Sequence, residues 1–112
     1  MKHVLPLLLA LTALSAAPST RTFTGAITDD MCANGGHAQM RMGPTDADCT
    51  RACVDLHGAA YVLADGTHVY KLSDPKKADA FAGQAVRVVG VLDAKTNTIR
   101  VTSIAAATTR KH

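Results

Sequence analysis

Thiol, thioether and imidazole side chains concentrate in one stretch of this chain, between Met31 and Cys53. All three cysteines of the sequence lie there, together with one histidine and three of the four methionines. Such groups are soft or borderline metal donors, and they favour Cu(I) and Zn(II) over hard cations, which prefer oxygen. The stretch predicts a soft-metal site with four main ligands and three auxiliary ligands for the copper case: Cys32, His37, Cys49 and Cys53, with Met31, Met40 and Met42.

The spacing of the four main donors supports this interpretation. Cys49 and Cys53 are four residues apart in a segment with helical character, so their side chains should lie one above the other on one face. Cys32 and His37 lie on a glycine-rich loop that could fold over that face. Three cysteines and one histidine form a known tetrahedral zinc shell, but the pattern Cys-x4-His-x11-Cys-x3-Cys lacks the tight Cys-x2-Cys pair of many zinc sites.

A structural disulfide is the alternative use of the same cysteines. In an oxidising compartment, Cys32 could bridge to Cys49 or Cys53 and leave one thiol free, because the number of cysteines is odd. Such a bridge would close a loop of roughly 17–21 residues and contribute about 3 kcal/mol in the chain-entropy description. Under this alternative the protein is a disulfide-braced interaction module that binds a protein or glycan partner.

The beginning of the chain is typical of a secretory signal peptide. Lys2 precedes an apolar stretch from Val4 to Leu14, and small residues follow at positions 15–17. The stretch is shorter than the ~20 apolar residues that a membrane-spanning helix needs. We therefore expect residues 1–19 to be removed, with cleavage between positions 15 and 19. The mature protein would be exported to the periplasm or beyond, without membrane insertion, as one domain over residues 20–112.

Alternating apolar residues and turn signals predict five strands and two helices in the rest of the chain. The Asp65-Gly66 turn predicts a hairpin, and Gly90 within a strand is typical of a bend in a small barrel. The order predicts a mainly β fold, a small five-stranded OB-like Greek-key barrel with one helix in the first connection and a short helix between strands 3 and 4. An open α+β sheet is the alternative. The predicted strands cover residues 22–28, 59–64, 67–72, 84–92 and 98–105, and the predicted helices cover 46–56 and 75–82.

Several segments together resemble a family of small exported bacterial proteins of unknown function with an OB-like barrel. The resemblance covers nearly all of the mature chain and implies the fold and export, but no activity. The loop and helix rich in Cys, Met and His, at residues 29–57, lie within the first connection of the predicted barrel. The residues that carry the resemblance are 25–32, His37, Cys49-x-x-x-Cys53, 58–63, 69–72 and 81–90.

The composition excludes several other classes of function. The formal net charge is only +3, and the basic residues form no extended cluster, so we expect no nucleic-acid partner. All nine acidic residues are aspartates, and the chain has no glycine-rich phosphate loop, no Gly-x-Ser-x-Gly and no Cys-x-x-Cys. The sequence therefore predicts a binding protein without catalytic activity.

Overall fold

The structure is a computed structural model that describes residues 19–33 and 43–107. Within these ranges the elements follow the predicted order, with one helix after the first strand and a second, shorter helix after the third. The predicted signal peptide lies almost entirely outside the described residues. The elements are β1 (Arg21–Asp29), α1 (Asp46–His57), β2 (Tyr61–Ala64), β3 (Val69–Leu72), α2 (Pro75–Asp79), β4 (Ala85–Asp93) and β5 (Thr98–Ala106).

The five strands form a closed barrel in the order β1-β2-β3-β5-β4. Four of the pairings are antiparallel, and the short pairing between β3 and β5 is parallel. This ring confirms the predicted OB-like barrel, and the alternative of an open sheet is wrong. A closed ring leaves no unpaired edge in its sheet, which suits so short a chain.

Gly90 is placed where the barrel bends. The pairing of β4 with β5 changes register between Val89 and Gly90, in agreement with the bend that the mid-strand glycine predicts. At Gly90 a Cβ atom would lie 2.2 Å from the backbone oxygen of Arg100 on β5. No side chain fits there unless the two strands move apart.

The interior of the barrel holds the main hydrophobic core, and α2 closes one side of it. Period-two alternation on each strand brings the large aliphatic side chains inward. Ala78 of α2 and Ala82 of the following turn are also fully buried. The fully buried aliphatic residues of the strands are Ile27, Val62, Leu63, Val86, Val88 and Ile99, and all of them except Val62 belong to one cluster.

The second helix is shorter than predicted. Asp74 caps α2 and Pro75 begins it, but the helix ends at Asp79 and not near Ala82. The chain then turns through Gly83, which adopts a left-handed φ of 75° and donates its N–H to the Ile27 carbonyl of β1. Because that N–H pairs with the barrel, it cannot continue the helix.

The first helix is capped at both ends. The Thr45 hydroxyl accepts a hydrogen bond from the Asp48 N–H at 3.1 Å, and Gly58 ends the helix with φ 67°. Gly83 lies directly against the start of the helix, where an added Cβ would come within 2.6 Å of the Ala47 nitrogen. These contacts fix the helix relative to the barrel.

Asp79 connects α1 to the barrel wall. Arg51 of α1 donates to the Asp79 carbonyl at 2.9 Å and pairs with its carboxylate at 3.5 Å. The hydroxyl of Tyr61 on β2 donates to the same carboxylate. Burial, followed by this hydrogen bond, raises the pKa of Tyr61 above its usual range.

Tyr61→Phe should destabilise the domain by about 1 kcal/mol, because it removes the hydrogen bond to Asp79 and leaves a partly exposed carboxylate that water can solvate. Thermal unfolding followed by circular dichroism should show a midpoint lower by about 4–8 °C. Tyr70→Phe is the matched control, since Tyr70 is also buried and its hydroxyl has no hydrogen-bond partner among the described residues. Equal effects of the two substitutions would contradict a stabilising role for the Tyr61–Asp79 contact.

Candidate metal centre

The three cysteines meet beside the barrel, in a small cluster of buried residues separate from the main core. Cys32 comes from the turn after β1, and Cys49 and Cys53 come from successive turns of α1. Cys32 is 2% exposed, and the other two are fully buried. Ala59 completes the cluster, and half-buried Val54 packs against it.

The sulfur atoms of Cys32, Cys49 and Cys53 all lie within 4.8 Å of one another, close enough to hold one metal ion. None of the three is in a disulfide bond, and no pair of them is at disulfide distance. The predicted cysteine part of the ligand set is therefore brought together. The predicted disulfide between Cys32 and either helix cysteine is not present in the structure.

The helix geometry explains how Cys49 and Cys53 share one site. With a spacing of four residues they stand on the same face of α1, as predicted. The Cys49 N–H bonds the Thr45 carbonyl at 2.9 Å. The Cys53 carbonyl accepts from Ala59 at 3.2 Å, beyond the Gly58 cap. Both cysteines therefore sit on a backbone that is hydrogen-bonded at each end.

A hydrogen-bonded turn at the end of β1 holds Cys32 against that helix face. The Cys32 N–H donates to the Asp29 carbonyl and to Asp29 Oδ2, each at 3.2 Å, and the Met31 N–H donates to the same Oδ2 at 3.1 Å. Asp30 anchors the turn to the residue before β2, since its Oδ1 accepts from the Ala60 N–H at 3.2 Å. The side chain of Asp29 thus caps the turn that carries Cys32.

Asp29 is also fully buried, which its role as a turn cap does not require. Its Oδ1 has no hydrogen-bond partner among the described residues, and none of the ion pairs described there involves it. The period-two pattern of β1 could have predicted this burial from the sequence. Phe23, Gly25 and Ile27 face inward, and Asp29 is the next residue on that face.

The surroundings of Cys32 and Cys53 keep these two thiols protonated at neutral pH. Burial is the main cause that raises the pKa of Cys32 well above its usual range, and hydrogen bonding to the Asp29 carboxylate and its charge add to the effect. Burial and the same carboxylate raise the pKa of Cys53. Reactive thiols have lowered pKa values and some exposure, so these cysteines have the character of inert thiols or latent metal ligands.

Thr50, next to Cys49 on α1, is a second buried polar residue in this helix. Its hydroxyl is fully buried and has no hydrogen-bond partner among the described residues. A hydroxyl buried without a partner costs free energy, and such groups are rare in folded proteins. The buried side of α1, which carries two of the thiols, therefore also holds a hydroxyl group without a described hydrogen-bond partner.

The remaining predicted ligands are not part of the described cluster. Met31 is one of the predicted auxiliary ligands, but its side chain is 41% exposed, because the Asp29 turn directs Cys32 inward and the preceding residue outward. His37, Met40 and Met42 lie outside the described residues. Their roles as the fourth ligand and as auxiliary ligands remain predictions.

No helix among the residues described by the structure is long and apolar enough to cross a membrane.

Comparison with known proteins links the barrel part of the chain to a family. The sequence profile of a family described as protein of unknown function, DUF5818, matches residues 53–107. No curated protein and no solved structure matches the chain significantly. The matched region starts at Cys53, near the end of α1, and continues through all the later strands, so Cys32 and Cys49 lie before it. Over residues 53–107, the chain is therefore similar to this family of proteins of unknown function.

Proposed function

We propose that this protein is a small exported protein that binds a soft metal ion, acting as a carrier, buffer or sensor of Cu(I) or Zn(II) without catalytic activity. One observation carries the proposal: three buried thiol sulfurs from two separate segments lie within 4.8 Å of one another. Thiolates are preferred ligands of both ions, and three of them suffice for trigonal Cu(I) or for most of a zinc shell.

The chemistry would be plain coordination. Cys32, Cys49 and Cys53 would hold the ion as thiolates, and each would release its proton on binding. His37 is the proposed fourth ligand, and Met40 and Met42 are proposed auxiliary donors for copper. Export, which the first 19 residues predict, would place this centre in the periplasm or outside the cell.

Native mass spectrometry of the mature protein, purified from its export compartment, tests the proposal together with a thiol count after denaturation. We expect a mass increment of one zinc or copper ion and three free thiols. A mass lower by two hydrogens, with one free thiol and no metal, would overturn the proposal. That result would support the alternative, a disulfide-braced module that binds a protein or glycan.

Cys49→Ser should abolish stoichiometric metal uptake, because it removes one of the two ligands that α1 supplies from a single face. Titration of the metal-free protein with Zn(II) or Cu(I), against a chromophoric competitor, measures the loss. Met31→Leu is the matched control and should bind like the unmodified protein, since Met31 is exposed and outside the thiol cluster. Circular dichroism of both variants verifies that they are folded, and full uptake by folded Cys49→Ser would contradict the proposal.

A further inference from the structure

The buried carboxylate of Asp29 accompanies the three thiols and has no charged partner among residues 19–33 and 43–107. Asp29 is fully buried, and none of the ion pairs in the described part of the chain includes it. Removing one carboxylate from water costs several kcal/mol unless an opposite charge or hydrogen bonds compensate for it. Here two backbone N–H groups donate hydrogen bonds to Oδ2, while Oδ1 has no hydrogen-bond partner among the described residues.

The position of Asp29 ties this charge to the thiols. Its Oδ2 accepts from the backbone N–H of Cys32 itself, so the carboxylate cannot move independently of that ligand. Its charge also acts on both Cys32 and Cys53, whose pKa values it raises. The electrostatic interaction between the Asp29 charge and an ion held by the three sulfurs would therefore be only weakly screened by water.

We propose that Asp29 shifts the selectivity of the thiol centre toward divalent soft ions, favouring Zn(II) relative to Cu(I). The inference rests on the proposed function and names the ion class that the same site would prefer. With three thiolates and the Asp29 carboxylate, a divalent ion cancels one more negative charge than a monovalent ion does. In a buried site, each charge left uncompensated is costly.

The expected size of the effect follows from Coulomb's law. One extra unit of ionic charge at about 5 Å from a carboxylate, with an effective dielectric constant of about 20, corresponds to roughly a hundredfold change in affinity. Removing the Asp29 charge should therefore weaken Zn(II) binding about a hundredfold more than Cu(I) binding. The same charge on the protein surface would be screened and have little effect.

Asp29→Asn is the direct test. The amide oxygen can still accept from the Met31 and Cys32 N–H groups, so the turn that holds Cys32 is retained. Asp30→Asn is the matched control, because it removes one charge from the adjacent, exposed residue. Each metal-free variant is titrated with Zn(II) alone and with Cu(I) alone, against chelators of known affinity. We expect Asp30→Asn to change the ratio of the two affinities less than about threefold.

The outcomes separate the two proposals. If the unmodified protein binds neither ion through its thiols, the proposed function fails. If it binds both, and Asp29→Asn weakens both equally or neither, only the role of Asp29 is overturned. Should Asp29→Asn not fold, Asp29→Ser replaces it, because a serine hydroxyl can also cap this turn without carrying a charge. A selective loss of Zn(II) affinity in either neutral variant supports the inference.

Discussion

Replacing Gly90 with alanine is expected to destabilise the domain by about 3–5 kcal/mol, because β4 and β5 leave no room for a side chain at this position. The added Cβ would lie 2.2 Å from the Arg100 oxygen and 2.9 Å from an Ile99 methyl carbon. The carbonyl belongs to the paired strand β5, so relief requires the two strands to separate. Since a domain of this size has only about 5–15 kcal/mol of stability, much of it would be lost.

Urea unfolding followed by circular dichroism measures this loss, and the thermal midpoint should fall by about 15–30 °C. Gly58→Ala is the control. Gly58 has a left-handed φ of 67°, but no atom lies within 4 Å of the position that its Cβ would take, so the cost is backbone strain alone, about 1–2 kcal/mol. If Gly90→Ala cost no more than Gly58→Ala, the close approach of β4 and β5 at this position would be wrong.

Metal affinity is expected to rise at least about a hundredfold for each unit of pH between about 6 and 8. Burial raises the pKa values of Cys32 and Cys53, so both remain thiols across this range in the metal-free protein. Each must lose its proton to become a ligand, and two protons released per ion give a slope of two in log affinity. Metal affinity must fall as the pH falls, because more protons then compete with the metal for the thiolates.

Zn(II) titrations at three or four pH values, corrected for protonation of the competing chelator, give this slope. Cys32→Ser provides the control, because the variant retains only one of the two thiols whose pKa values are raised. Any residual binding by that variant should have a slope smaller by about one. A flat pH profile in the unmodified protein would show that the cysteines are already ionised or are not ligands.

Much of the fold could be predicted because its signals are local. The Asp65-Gly66 turn, the Asp74-Pro75 helix start and the Gly58 helix end are each set by residues a few positions apart. Closure of the barrel pairs β1 with β4, about 60 residues away, and no local pattern specifies this. The order of elements implied it only through the known OB topology.

The candidate site was predictable in its residue types but not in its electrostatics. The spacing of Cys49 and Cys53 follows directly from helix geometry. The burial of Asp29 does not, because aspartate after a strand is more often a solvated turn cap. It is a cap here as well, and it is buried because the Cys32 turn packs under α1. Only tertiary packing determines the burial of Asp29.

The parallel contact between β3 and β5 is the shortest junction in the ring. Its paired residues are Lys71 with Thr98 and Leu72 with Ile99, whereas β4 and β5 pair over most of their length. We therefore expect native-state opening to begin at this junction, since its ladder has the fewest residue pairs. Such opening would expose two strand edges at once, and exposed edges are where chains add to one another. Resistance of this protein to self-association thus depends on a junction of only two residue pairs.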